Sequence, residues 1–157
     1  MKNRLFAFLL VLVITLSAFT SCGLIYGDVD RIGSFTVVVE NTDGTYEEFT
    51  TRLEFLSNYK EGAKGVLEHL DSKEEGLKLD MIDSTYGAYV SGIGSIRESN
   101  ADKMYVIVYT TVAADSYEGA PTFQYKDTTL YQAGVGLSAM KVKDGGIILF
   151  RLEKSPY

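Results

Sequence analysis

The only cysteine of this 157-residue chain, Cys22, stands where a bacterial export signal would place a residue for lipidation. A basic start at residues 1–4 precedes an apolar run at residues 5–14, and small residues lead up to the cysteine. This order is typical of an export signal, and the apolar run is shorter than the roughly 20 residues that span a bilayer. The pattern predicts a lipoprotein signal peptide over residues 1–21 and a diacylated Cys22 that anchors the chain to a membrane. The alternative is an ordinary secretory signal cleaved near Ser21, beside an incidental cysteine.

The charge and the single cysteine define what kind of domain follows. We expect residues 22–32 to hold the lipidated cysteine and a short tether, and residues 33–157 to form one domain. Loss of the signal removes Lys2 and Arg4 but no carboxylate, so the formal net charge changes from −6 to −8. An acidic domain does not attract nucleic acid, and we therefore expect no nucleic-acid partner. The predicted location is the extracytoplasmic face of a bacterial cell membrane or outer membrane, where one cysteine allows no disulfide within the chain.

Residues that could carry catalysis or bind a metal are scarce. His69 is the only histidine, which leaves too few soft ligands for a transition-metal site, and no Gly-x-Ser-x-Gly nucleophile motif is present. Residues 134–139 match Gly-x-Gly-x-x-Ala, but a predicted β-hairpin follows them instead of the helix that a dinucleotide site needs. We therefore expect no enzyme, no metal site and no required cofactor. Four aspartates could contribute to a calcium site, although without EF-hand spacing: Asp80, Asp83, Asp115 and Asp127.

The chain is rich in aromatic side chains, with eleven tyrosines and eight phenylalanines. They could pack inside a sheet, or some of them could line a surface that stacks on a flat ligand or on a partner. For the strand that holds Tyr105 and Tyr109 we favour packing, whereas for the later segment both interpretations stay open. Eight of the aromatic side chains cluster in the later half of the chain: Tyr86, Tyr89, Tyr105, Tyr109, Tyr117, Phe123, Tyr125 and Tyr131.

The first half of the domain shows a change of period that predicts strands and then one helix. Alternation around residues 35–39 and 46–55, separated by a turn at residues 41–44, predicts a β-hairpin. The spacing i, i+3, i+4 and i+7 then predicts a short helix that ends near Gly76. The apolar stripe of this helix consists of Ala63, Val66, Leu67 and Leu70.

Strands dominate the second half. Residues 104–109 are apolar or aromatic throughout, which predicts a strand in the middle of the sheet. Residues 114–133 are expected to form a long excursion with one short hairpin. The order predicts a strand-rich α+β fold in which a single short helix packs on a mixed or antiparallel sheet, in a β-grasp-like layout. The other predicted strands lie at residues 77–81 and 86–90, and a terminal hairpin is predicted from residues 140–143 and 147–152.

Several pieces of the chain follow one another in the order of a known domain: the first hairpin, Glu61-Gly62-Ala63 with Val66-Leu67, the segment from Asp83 to Ile93, Ile96, the strand around Tyr105, and Lys143-Asp144-Gly145-Gly146. On these pieces the chain, between about residues 34 and 153, resembles the transcobalamin-like C-terminal domain family. The segment from Asp83 to Ile93 is the most specific part of the resemblance. Two departures are visible: the chain has no tryptophan, and it has no helical barrel.

The resemblance implies a corrinoid-binding module, because in animal cobalamin carriers this domain closes over the vitamin from one side. Our first hypothesis is a membrane-anchored, extracytoplasmic ligand-binding module without catalysis, with a corrinoid as its ligand. The second hypothesis is a structural or interaction module that presents the same surface to another protein of the cell envelope. The residues expected to contact the ligand are Tyr86, Tyr89, Ile93, Tyr105, Tyr117, Phe123 and Tyr125.

Overall fold

Nine strands and one α-helix make up the described part of this computed structural model, which covers residues 28–85 and 87–154. Cys22, the predicted signal peptide and Tyr86 lie outside these residues. No helix within them is long and apolar enough to cross a membrane. In chain order the elements are β1 (Ser34–Glu40), β2 (Tyr46–Arg52), α1 (Gly62–Asp71), β3 (Asp80–Ile82), β4 (Tyr89–Ile93), β5 (Ile96–Arg97), β6 (Met104–Thr110), β7 (Thr122–Tyr125), β8 (Thr128–Gln132) and β9 (Gly146–Lys154).

The main sheet has six strands in the order β2-β1-β9-β6-β8-β7, and a second sheet has the order β3-β4-β5. The first and last strands of the fold, β1 and β9, run parallel to each other, while the other neighbouring pairs of the main sheet are antiparallel. The α+β prediction is confirmed: the fold is strand-rich, with one helix and a mixed sheet.

The helix packs on one face of the main sheet through the stripe that its sequence predicts. Ala63, Val66, Leu67 and Leu70 are all at most 2% exposed. Gly65 is buried as well, and a Cβ atom there would lie 2.5 Å from the carbonyl oxygen of Asn58. Gly65 therefore lets two backbone segments approach closely, although it destabilises the helix by up to about 1 kcal/mol relative to alanine.

The C-terminus of the helix differs from the prediction. It ends at Asp71 and not near Gly76, because Ser72 caps it: the Ser72 amide donates to the carbonyl of Glu68 and its hydroxyl donates to the carbonyl of His69. The small sheet then packs on the same core through Val90, Ile93 and Ile96, which are all at most 1% exposed.

The opposite face of the main sheet holds a second, smaller cluster, which we call the closed face: Val38, Tyr109, Tyr125, Leu130 and Leu149. The two edge strands, β2 and β7, approach each other across it. Tyr46 of β2 makes an edge-to-face contact with Tyr125 of β7, with ring centroids 5.0 Å apart. Beside it, Lys126 forms an ion pair with Glu48 at 2.6 Å. The sheet is therefore curled until its own edges cover this face.

Of three predicted features of the second half, one is wrong and two are confirmed. The terminal hairpin is wrong: residues 140–143 contain no strand apart from an isolated bridge between Val142 and Val29, and β9 pairs with β1 and β6 instead. Pairing between strands at the two ends of a chain does not change the local periodicity of the sequence, which explains the error. The short hairpin within residues 114–133 is confirmed as β7–β8, and it extends the main sheet. The central position of β6 is confirmed too, since it lies between β9 and β8.

Candidate functional site

Four exposed apolar side chains mark the candidate ligand surface, which we call the exposed rim: Ile82, Tyr89, Val135 and Tyr117. Their exposed fractions are 46%, 43%, 41% and 50%. Large apolar side chains exposed together in this way mark an interaction surface more often than chance exposure of single residues does.

Local backbone contacts connect the members of the exposed rim. Ile82 and Tyr89 are direct partners across the β3–β4 pair. The amide of Leu137 donates to the carbonyl of Ala88 at 3.0 Å, which holds the segment that contains Val135 against the start of β4.

Glycines allow these segments to approach each other. A Cβ atom on Gly87, whose φ is +102°, would lie 3.3 Å from the Cα of Gly136. A Cβ atom on Gly134 would lie 3.0 Å from a ring carbon of Tyr117. The glycines therefore let these backbone segments and the Tyr117 ring pack closely against one another beside the exposed side chains of the rim.

Lys64 of α1 fixes the turn that leads into Tyr89. Its ammonium lies 3.0 Å from Asp83 and also within 4.0 Å of Glu61 and Glu68, and its side chain is only 13% exposed. The hydrogen bond to Asp83, followed by the charges of the other two carboxylates, raises the pKa of Lys64. The helix thus anchors one side of the rim by a charge network.

An open groove of about 420 Å³ adjoins the ring of Tyr117. This volume lies in the range of small-molecule sites. The Tyr117 hydroxyl donates to Gln132 at 3.3 Å, so the ring is held in place although half of it is exposed. The other residues that line the groove are Ala113, Ser116, Glu118, Gly119, Ala120, Thr122 and Tyr131.

Buried Asp115 stabilises the loop that forms this groove. Its carboxylate accepts the amide of Lys141 at 2.7 Å and lies 3.6 Å from the ammonium of the same lysine. Its carbonyl accepts the amide of Gly134 at 2.8 Å. Asp115 therefore connects the groove to the glycine-containing segment of the rim.

The closed face uses its aromatic side chains differently. The Tyr109 hydroxyl donates to Glu153 at 2.9 Å, and the Tyr109 ring packs against Phe123 with centroids 5.7 Å apart. Burial, together with the hydrogen bond to Glu153, raises the pKa of Tyr109 to about 12. The Arg151 guanidinium lies 4.4 Å above the Phe123 ring and forms an ion pair with Glu40 at 3.1 Å. These rings are therefore already in contact with neighbouring side chains of the same chain.

The residues predicted to contact a ligand are divided among three places. Tyr89 and Tyr117 lie on the exposed rim, whereas Ile93 is fully buried in the helix-side core. Phe123 and Tyr125 pack at the closed face, where Tyr125 is only 3% exposed. Tyr105 is half-buried and shares the Tyr109 side of β6, because alternate residues of a strand face the same way. Tyr86 lies outside the described residues.

Sequence reasoning missed two members of the rim, Ile82 and Val135. Val135 stands between Gly134 and Gly136, and an apolar residue between two glycines in a loop is a signal of exposure that could have been used. Ile82 had no such signal, since its exposure depends on which face of β3 the core covers. Within residues 28–85 and 87–154, no three histidine, cysteine, aspartate or glutamate side chains are grouped so that they could hold a metal ion.

Comparisons with known proteins bear on the fold. No family model and no curated protein sequence matches the chain. Among solved structures, a protein of Ruminococcus gnavus ATCC 29149 described as a candidate metal-binding protein is similar with a TM-score of 0.52 and 15% identity, over 78% of this chain and 98% of that one. Haptocorrin in complex with Cbi (cobinamide) is similar with the same TM-score and identity, over 78% of this chain but only 25% of haptocorrin. At such identity these similarities show a shared fold, and this chain spans about a quarter of the haptocorrin chain.

Proposed function

We propose that this protein is a lipid-anchored, extracytoplasmic module that binds a corrinoid-like ligand and has no catalysis of its own. The observation that carries the proposal is the exposed rim, where Tyr89 and Tyr117 present accessible rings around a glycine-containing segment. The similarity in fold to a part of haptocorrin, whose structure contains Cbi, supports the choice of ligand class.

The chemistry of the rim suits a flat, amide-bearing ligand. A corrinoid has a broad macrocycle with amide side chains around it. The rings of Tyr89 and Tyr117, with the aliphatic side chain of Val135, offer apolar contacts to such a macrocycle. The neighbouring groove supplies Glu118 as an acceptor and Thr122 as a donor for peripheral amides.

The open shape of the site limits the affinity that we expect. A site that buries most of a ligand surrounds it, whereas this rim and groove contact one side only. We therefore expect a Kd on the order of micromolar, much weaker than that of a fully enclosed complex.

Anchoring rests on the predicted lipidation of Cys22. Five residues, 23–27, lie between Cys22 and Asp28, where the described domain begins, so the two Cα atoms are six residue steps apart. A fully extended chain of this length reaches about 20 Å. Two acyl chains on Cys22 would therefore keep the domain close to the outer surface of its membrane.

Calorimetric titration tests the ligand. The mature chain carrying Cys22→Ser is titrated with cobinamide and with cyanocobalamin, and we expect binding on the order of micromolar. The double variant Tyr89→Ala/Tyr117→Ala should bind about 5- to 150-fold more weakly, since two stacked rings contribute about 1–3 kcal/mol together. Phe55→Ala is the matched control, because Phe55 is also an exposed ring and is not part of the rim. Absence of heat at millimolar ligand would contradict the proposal.

The second hypothesis, a non-catalytic envelope interaction module, also has a specific observation in its favour. Two of the four rim side chains, Ile82 and Val135, are aliphatic, and exposed aliphatic groups suit a protein partner as well as a ring system. Crosslinking from residue 135 on intact cells should then recover one envelope protein, and the double variant should abolish that recovery.

A further inference from the structure

Two apolar side chains near the start of the domain are more exposed than any other large apolar residue among those described. Ile32 is 73% exposed and Phe55 is 64% exposed. They lie at the same end of the β1–β2 pair, because Ser34 is paired with Arg52 and the amide of Leu53 donates to the carbonyl of Gly33 at 2.9 Å. We call these two side chains, together with Arg31 and Arg52, the entry face.

The entry face is rigidly supported. Phe55 ends the 3-10 turn Leu53–Phe55, and the Tyr59 hydroxyl donates to the carbonyl of Leu53 at 2.8 Å. The Arg31 guanidinium lies 3.9 Å above the Tyr59 ring. On the other side, the carboxylate of Asp144 accepts the amide of Ser34 at 2.9 Å.

The first described residues are also fastened to the sheet. Val29 forms a bridge with Val142, and the ammonium of Lys143 contacts the carboxylates of Asp28 and Asp30. The backbone amide of Asp144 and the ammonium of Lys143 lower the pKa of Asp30. The direction in which the chain enters the domain is therefore fixed relative to the entry face.

Each carboxylate around the entry face has a partner within the domain, although the whole chain is acidic. Arg52 forms an ion pair with Glu54 at 2.7 Å, and both aspartates at the entry are paired with Lys143. Arg31 is exposed, and its guanidinium lies over the Tyr59 ring. Apolar side chains flanked by arginines are suited to the boundary between lipid headgroups and acyl chains, where arginine keeps its charge among the phosphates.

The exposed rim lies elsewhere on the domain. The groove beside Phe55 is lined by His69, Leu70 and Lys73, at the C-terminal end of α1 and beyond. The N-terminal half of α1 contacts the segment after the rim, since the amide of Lys64 donates to the carbonyl of Leu137. The two surfaces therefore adjoin different parts of α1.

We propose that the entry face rests on the bilayer, with Ile32 and Phe55 inserted at the interface and with Arg31 and Arg52 at the lipid phosphates. This inference rests on the proposed anchoring at Cys22, since a tether of five residues brings this end of the domain to the membrane. The inference adds a single orientation of the domain on the membrane, in which the exposed rim faces away from the lipid and is open to a ligand.

The absence of tryptophan from the chain makes a direct test simple. The mature protein is coupled through Cys22, its only thiol, to maleimide-bearing lipid in phosphatidylcholine vesicles. Single tryptophans are introduced as Phe55→Trp and Ile32→Trp, and Val135→Trp on the exposed rim is the matched control. We expect brominated phosphatidylcholine to remove about half of the emission at positions 55 and 32, because the indole then lies within the outer ~5–10 Å of the bilayer. Emission at position 135 should not change.

Equal emission with and without brominated lipid at both positions 55 and 32 would overturn the inference, and so would equal quenching at all three positions. Since the coupling is chemical, this result does not depend on natural acylation. The mass of Cys22-containing peptides from the bacterial membrane fraction tests acylation separately, and the titration with cobinamide tests the ligand. Failure of the proposed orientation is therefore distinguishable from failure of the proposed function.

Discussion

The exposed rim and the closed face contain the same kinds of aromatic side chain in opposite settings. Tyr89 and Tyr117 are 43% and 50% exposed, whereas Tyr109 and Tyr125 are each 3% exposed. Each buried ring has a neighbour within the chain, such as the edge-to-face partner of Tyr125. The comparison teaches that aromatic enrichment alone cannot distinguish a binding surface from a packed sheet; the curl of the sheet decides which rings remain available.

The two settings imply different energetic roles. Complete burial of a large apolar side chain stabilises a fold by about 1.5–3 kcal/mol, and an aromatic pair adds about 0.5–1.5 kcal/mol. A ring that is half exposed contributes far less to folding and keeps its contact area for a ligand. Substitutions on the closed face should therefore change stability, and those on the rim should change binding.

The largest effect is expected for Tyr125→Ala. This change removes a ring that joins the two edges of the curled sheet, and we expect the free energy of unfolding to fall by about 3 kcal/mol or more. Urea denaturation measures it, with Tyr117→Ala as the control on the rim, for which a smaller loss of about 1 kcal/mol is expected. Equal losses in the two variants would remove the distinction between the two regions.

A smaller loss is expected for Tyr109→Phe, which keeps the ring but leaves Glu153 without its hydroxyl donor. Hydrogen bonds to charged groups contribute about 1.5–3 kcal/mol, and partial access of water to Glu153 favours the lower end. The closed face should then be destabilised while cobinamide binding is unchanged. Weaker binding in this variant would mean that the ligand reaches the closed face.

The pH dependence sharpens this prediction. The folded protein raises the pKa of Tyr109 from about 10 to about 12. A raised pKa means that folding favours the protonated hydroxyl, so the stability it contributes is complete below about pH 10 and is lost as the pH rises through about 12. Alkaline titration of tyrosinate absorbance should show a late-titrating component that Tyr109→Phe removes. A tyrosine titration that is identical in both proteins would contradict the assignment.

Lys64→Met should have a modest effect that extends to the rim. The substitution keeps the helix and much of the side-chain volume but removes the charge that holds Asp83. We expect a loss of about 0.5–1 kcal/mol in stability and a few-fold weaker binding, because the turn before Tyr89 is released. Lys73→Met, on an exposed part of the chain just after the helix, is the control. Unchanged binding in Lys64→Met would show that the rim does not need this support.

The smallest effect is expected for Lys126→Met, which breaks the exposed ion pair with Glu48 across the closed face. Exposed pairs contribute little, so the change should be near the limit of detection and should vanish in high salt. The ammonium of Lys126 lowers the pKa of Glu48, so any contribution is present above the ordinary glutamate pKa and is lost as the pH falls. A large loss of stability would mean that this pair, and not the Tyr125 ring, closes the sheet.

The local elements could be predicted from the sequence because their signals are periodic. The stripe from Ala63 to Leu70 and the alternation at Phe35, Val37 and Val39 report burial directly, and the structure buries all of these residues. The central strand β6 was visible as an unbroken apolar run. The parallel pairing of β1 with β9 was not visible, because it joins residues more than a hundred positions apart.

The candidate site was only partly predictable for the same reason. Tyr89 and Tyr117 were identified as aromatic residues, but nothing in the sequence distinguished them from Phe123 and Tyr125. The difference arises from the contact between two edge strands, which brings Tyr125 against Tyr46 and leaves the rim outside. Exposure of that kind is a property of the assembled sheet.

The most direct test of the account is chemical nitration of the tyrosines with tetranitromethane, mapped by peptide mass with and without cobinamide. We predict that Tyr89 and Tyr117 react rapidly in the free protein and are protected at saturating cobinamide, while Tyr109 and Tyr125 react slowly in both states. If cobinamide leaves Tyr89 and Tyr117 as reactive as before, or protects only the tyrosines of the closed face, the exposed rim is not the ligand site.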